Sequence, residues 1–259
     1  MDKNKERSPL DRTAPLRVAG QSLNDELDDF LYDQVMAPLM IATFMIIFAG
    51  LEWFRYFQNL KPNPIAYSGA SALAILYATV KIWRSRKHVR RLKLGRDGER
   101  AVAQYLEWFR SANYFVFHDI PNGDANVDHV LVGPAGVFTI ETKTLSKPHR
   151  GPCKISVVGN VVHANGKVLD RDPIVQAKAQ AGWLKNFLVE SQMVAHVQPV
   201  VVFPGWFIEP FDMKAAGAWV LETKALSKFV ENEPVRLARE QVQAISSALR
   251  SHIRAHAKK

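Results

Sequence analysis

The residues of this chain whose types and spacing could do chemistry lie in two short runs separated by a turn. Residues 127–132 read VDHVLV and residues 137–143 read VFTIETK, with Gly133-Pro134-Ala135-Gly136 between them. β-Branched and aromatic residues bounded by Gly and Pro predict a β-hairpin with a four-residue loop. If Val132 faces Val137, then Asp128 faces Glu141, and Lys143 projects on the same side as Glu141 because side chains alternate along a strand. Two carboxylates opposed in this way repel unless something cationic lies between them. A divalent metal accounts for the pair, with the Lys143 ammonium beside it to orient water and offset charge on a phosphate. Glu-x-Lys alone is far more readily the wet face of an ordinary surface strand; Asp128 in register brings the two readings level.

Other elements must position these residues. Upstream, Gly95-Arg96-Asp97-Gly98-Glu99 opens a helical pattern through Ala103, Leu106 and Phe109, and residues 114–120 (YFVFHDI) read as a strand. Downstream, two short strands flank Gly159-Asn160, and Asn165-Gly166 marks a further turn. Asp172 as N-cap and Pro173 at the first position start a helix to about residue 190, with Gln176 and Gln180 one turn apart on one face. A strand over residues 197–203 follows, and a closing helix carries Val242, Ile245, Leu249 and Ile253 in phase. A second Glu-x-Lys, Glu222-Thr223-Lys224, has Asp212 ten residues before it but no hairpin partner strand, so it reads as a decoy. His118, His129 and His163 each sit on a strand without a second His at ligand spacing, and packing or surface roles are expected of them. His129 points away from Asp128.

Hydropathy separates this half of the chain from the other. Residues 35–51 (VMAPLMIATFMIIFAGL) and 64–80 (PIAYSGASALAILYATV) carry no charge. Each is about 25 Å of helix, and flanking Trp53, Phe54, Tyr56, Phe57 and Trp83 extend the pair into interfacial belts. A buried helical hairpin is the rival reading; the polybasic exit and the Pro-containing turn favour two membrane spans. Of the formal net charge of +9, most lies in residues 81–100, where nine Lys and Arg stand against two acidic residues. The positive-inside bias places that end in the cytoplasm, at an inner membrane, and two spans return the N-terminus to the same side. The expected division is a cytoplasmic tail over residues 1–34, a transmembrane hairpin over 35–83, a basic linker over 84–94 and a soluble domain over 95–259. The tail starts Pro- and charge-rich, then carries Leu23, Leu27, Phe30 and Leu31 at helical spacing after a Ser22 cap. The small residues Ser68, Gly69, Ala70, Ser71 and Ala72 offer a surface through which hairpins could form a homo-oligomer. The single Cys153 excludes an internal disulfide and a zinc cluster.

The order helix, strand, hairpin with Asp and Glu-x-Lys, helix, strand resembles the PD-(D/E)XK nuclease superfamily, and its wording resembles the nuclease-related domain, NERD. The matching words are Gly95-x-x-Gly98-Glu99, Val127-Asp128-His129-Val130, Gly133-Pro134-x-Gly136-Val137-Phe138, Ile140-Glu141-x-Lys143, and Pro173 with Gln176. That resemblance implies an α/β fold, a mixed sheet flanked by helices, behind the two-helix hairpin. It implies that Asp128 and Glu141 ligate Mg²⁺ or Mn²⁺, that Lys143 assists water, and that Glu99 and Gln176 complete the site, Glu99 as a further metal ligand. The expected activity is hydrolysis of phosphodiester bonds in nucleic acid, DNA in preference to RNA, at the membrane. The alternative is a non-catalytic tethered module that binds nucleic acid or a protein partner.

Overall fold

The computed structural model describes residues 16–123, 125–148 and 151–256. The Pro- and charge-rich start of the tail lies outside the described residues. The chain forms two units: residues 23–93, and residues 94–259 together with the described residues up to 22.

The first unit is helical. Helix α1 (Gln21–Leu31) carries the expected Leu23, Leu27, Phe30 and Leu31, but it runs on through a π-helical turn (Tyr32–Met36) into α2 (Ala37–Phe57) without a break. Pro38 supplies the reason for the wide turn: it has no N–H for the carbonyl four residues back, so the ladder is rearranged just before it. Ser22 lies inside α1 and is not its N-cap. Helix α3 (Pro64–Leu106) takes in both the second apolar run and the residues expected to form a linker, 84–94. Lys, Arg and Leu are good helix formers and nothing between Lys81 and Leu94 breaks a helix, so the basic stretch is helical rather than loop. Two helices are long and apolar enough to cross a membrane, and only 11% of each apolar window is buried. Leu39, Ile41, Phe44, Ile47, Leu73 and Leu76 all point outward. A core helix of a soluble protein would bury such side chains. Ser71 Oγ donates to Met45 O (2.6 Å) and Trp53 Nε1 donates to Ser68 Oγ (3.0 Å), so part of the small-residue stretch is used within the hairpin itself.

The second unit is mixed α/β, two sheets flanked by helices. Strands β1 (Phe115–Asn122), β2 (Ala125–Gly133), β3 (Gly136–Thr142), β7 (Val197–Val202) and β9 (Trp219–Leu221) form the main sheet in the order β1-β2-β3-β7-β9. The first three are antiparallel; β7 joins β3, and β9 joins β7, in parallel. The parallel crossover from β3 to β7 contains α4 (Pro173–Glu190), as a parallel pair requires. It also contains β4 (Lys154–Val158), β5 (Val161–Ala164) and β6 (Lys167–Val168), which with β8 (Phe207–Ile208), just after β7, form a small sheet in the order β6-β5-β4-β8. One face of the main sheet buries Leu131, Phe138 and Ile140 against Val102 and Leu106 of α3. The other buries Val130, Val132 and Val137 against Leu184 and Leu188 of α4 and Ile245 and Leu249 of α7 (Arg239–His256).

Candidate active site

The hairpin has the expected register. Val132 pairs with Val137, Leu131 with Phe138 and His129 with Ile140. The turn is tighter than expected, Pro134-Ala135 alone, because Gly133 and Gly136 already pair as ladder residues. One step beyond the His129–Ile140 pair come Asp128 and Glu141, on the face covered by α4. There the ladder gives way to side chains: Thr142 N donates to Asp128 Oδ2 (2.7 Å). Lys143 Nζ lies 2.7 Å from Glu141 Oε1, and the Glu141 side chain is only 2% exposed.

Helix α4 closes this face from above. Asp172 caps it by accepting from Ile174 N (2.8 Å) and Pro173 takes the first position, which fixes the phase of the helix. Gln176 Oε1 then accepts from Lys143 Nζ (2.9 Å), and one turn on, Gln180 Nε2 donates to Glu141 Oε2 (2.5 Å) and to Asn126 O (3.3 Å). Gln180 Oε1 is buried with no hydrogen-bond partner among the described residues. Gln180 was visible in the sequence only as the helical neighbour of Gln176.

Glu99 arrives from α3. Gly98 makes the approach possible: a Cβ there would fall 1.6 Å from Thr144 Oγ1, so the helix can cross the end of β3 this closely only without a side chain. Partial burial, with the carboxylates of Asp119 and Glu141 nearby, pushes the Glu99 carboxyl up from 4.5 to about 7; a hydrogen bond from the Gly20 backbone and the Lys143 charge oppose the shift. Burial, then Glu141 and Glu99, hold Asp128 well above the usual carboxylate range against the Thr142 hydrogen bond and Lys143. All five expected residues, Asp128, Glu141, Lys143, Gln176 and Glu99, thus fall in one cluster of neighbouring charges and hydrogen bonds.

Asp119 belongs to the same cluster and had no sequence signal. It adopts φ 50° in the middle of β1, between the pairs His118–His129 and Ile120–Val127, and is 3% exposed. Two other features differ from expectation. His118 and His129 face each other across β1 and β2, with Nδ1 to Nδ1 at 2.9 Å, so a second His does lie beside each of them. Burial pushes both imidazoles below the ordinary value, most strongly for His129. Among the described residues no group of three or more His, Cys, Asp or Glu side chains is placed so that it could hold a metal ion, so Glu99 does not stand with Asp128 and Glu141 as a formed three-carboxylate ligand set. Glu222, by contrast, behaves as the decoy reading expects: it caps a short 3₁₀ turn by accepting from Lys224 N (2.7 Å), and Asp212 caps α5 (Met213–Ala216) through Lys214 N and Ala215 N.

Residues 94–204 match the family model of the nuclease-related domain. The chain carries a NERD domain. No curated protein and no solved structure matches it. The matched segment runs from the end of α3 that bears Glu99 to just past β7, and so contains every member of the expected site within the NERD domain itself.

Proposed function

We propose that the NERD domain is a metal-dependent phosphodiesterase acting on nucleic acid, DNA in preference to RNA, and that the apolar hairpin anchors it to the inner membrane with the domain on the cytoplasmic side. The observation that carries the reading is the placement of Asp128, Glu141 and Lys143 on one face of a hairpin, with Glu99 and Gln176 brought to them from two helices. The donor types suit a hard divalent cation: three carboxylates, two of them raised first by burial and then by neighbouring carboxylates, and a buried amide oxygen on Gln180 without a partner among the described residues. Asp128, Glu141 and Glu99 would hold Mg²⁺ or Mn²⁺. When bound, the ion supplies a Lewis acid for the phosphoryl oxygen and an activated water.

The chain's own residues do the remaining work. Lys143, steadied between Glu141 and Gln176, presents an ammonium that orients the attacking water and offsets charge on the phosphate. Gln180 holds the second Glu141 oxygen, so that carboxylate keeps one orientation. The nine Lys and Arg of residues 81–100 support the cytoplasmic placement. The non-catalytic reading, a tethered module for nucleic acid or a protein, draws support from the same Lys143–Glu141 ion pair, which already neutralises one carboxylate without an ion. The full chain in detergent, incubated with single- and double-stranded DNA and RNA in Mg²⁺, Mn²⁺ or EDTA, tests the proposal. Cleavage only with the metals supports the enzyme; metal-independent binding without cleavage supports the module.

A further inference from the structure

The site is joined to a segment that lies outside the matched NERD residues and leads into the first turn of α1. Residues 16–22 lie against the NERD unit. Arg17 Nε is 2.9 Å from Asp119 Oδ2, with side chains 16% and 4% exposed. Ser22 N donates to the same oxygen (3.1 Å), Ser22 Oγ donates to Asp119 Oδ1, and Asn126 Nδ2 donates to Ser22 Oγ (2.5 Å). Ala19 and Gly20 are buried, and Leu16 packs against the apolar cluster of Ile120 and Val127. Gly20 has φ 68°, and a Cβ there would lie 3.0 Å from Arg96 Cγ and 3.3 Å from Arg96 O. Only glycine combines that conformation with so close an approach to α3 at low cost. From this position the Gly20 backbone bonds Glu99.

We propose that residues 16–22 form a strap that completes the NERD site, with Arg17, Gly20 and Ser22 as positioning residues for Asp119 and Glu99. The inference rests on the metal-site reading above. Asp119 is a buried carboxylate at a backbone break opposite Asp128, and Arg17 and Ser22 of the strap hold its two oxygens, with Asn126 of β2 supporting Ser22. Removing them leaves a buried charge uncompensated, which the surrounding structure can relieve only by rearranging. The rearrangement would travel a short path: Asn126, which holds Ser22, accepts from Gln180, and Gln180 holds Glu141. The strap therefore acts on Glu99 directly and on Glu141 through two side chains. A NERD fragment cut out after the hairpin would lack it.

The test is calorimetric Mn²⁺ titration of the full chain in detergent, well below its melting temperature, with circular dichroism on each variant. Arg17→Gln combined with Ser22→Ala should weaken Mn²⁺ binding at least tenfold with helix and strand content unchanged, as loss of residues that orient metal ligands does. Gly20→Val should do the same by expelling the strap from α3, and Arg17→Lys should retain more affinity than Arg17→Gln. Ser22→Ala alone, the mildest change, keeps the test open if the others do not fold, and should weaken binding in the same direction. Wild-type affinity in folded variants would overturn the strap while leaving the site reading intact. No Mn²⁺ binding by the wild-type chain would overturn the site reading and the strap with it.

Discussion

Replacing Glu99 with Gln tests the electrostatics of the cluster before any substrate is added. In the metal-free protein the Glu99 carboxyl is pushed up from 4.5 to about 7, first by burial and then by Asp119 and Glu141. A group whose folded value is raised lends stability that is fully present below its unfolded value and is lost as pH rises through the folded one. The penalty therefore builds between about pH 4.5 and 7. At pH 8 it amounts to about 3 kcal/mol as an upper bound, from 1.36 kcal/mol per tenfold change in proton affinity. Gln keeps an oxygen for the Gly20 backbone and has no charge to desolvate. Glu99→Gln should thus stabilise the metal-free chain by up to about 3 kcal/mol at pH 8 and by almost nothing at pH 4.5. For a unit of this size that is roughly 6 to 12 °C in melting temperature. Thermal unfolding of both proteins in detergent with EDTA, from pH 4.5 to 8, reads the difference. An equal gain at both ends, or none at pH 8, would refute the claim that burial and neighbouring carboxylates raise Glu99.

Other substitutions separate ligation from turnover. Asp128→Asn should remove most Mn²⁺ affinity yet raise the metal-free melting temperature at neutral pH, because it removes a buried charge and with it the repulsion from Glu141 and Glu99; calorimetry and thermal unfolding check the two halves. Lys143→Ala should keep Mn²⁺ binding and lower the single-turnover cleavage rate by roughly 10²-fold, since its task is to orient water and offset phosphate charge. Glu222→Ala should cost about 1 kcal/mol as a lost cap and leave cleavage unchanged, measured by unfolding and by the nuclease assay. The full chain should stay with membranes through salt and carbonate washing, because the exposed apolar faces of α2 and α3 have no other solvent.

How much of this was legible depends on sequence distance. The hairpin was readable because one assumed pair fixes all the others, so Asp128, Glu141 and Lys143 fell on one face as expected. The α4 start was readable from Asp172-Pro173, and with it Gln176, although Gln180 needed the structure to show that its face looks inward. In residues 84–94 a high charge, which marks a juxtamembrane linker, coexists with good helix propensity, and the linker is a continuation of α3. Asp119 and the strap left no signal: Ser22 and Asp119 are 97 positions apart and Ser22 and Asn126 are 104 apart, with the whole hairpin between them. The glycine of Gly98-Glu99 could be seen, but its reason, the crossing against Thr144, is a tertiary contact. The His118–His129 pair is legible only across the sheet, since neither histidine has a second His at ligand spacing on its own strand.

The central claim, that this NERD site hydrolyses phosphodiesters with a divalent ion held by Asp128 and Glu141, is tested most directly by comparing the wild-type chain with Glu141→Gln. Both would be purified in detergent and incubated with linear and circular DNA at matched Mg²⁺ or Mn²⁺ concentrations. The account predicts cleavage by the wild type with either metal, none in EDTA, and a loss of at least a hundredfold in Glu141→Gln with its fold intact. Equal cleavage by the two proteins, or cleavage that survives EDTA, would contradict it.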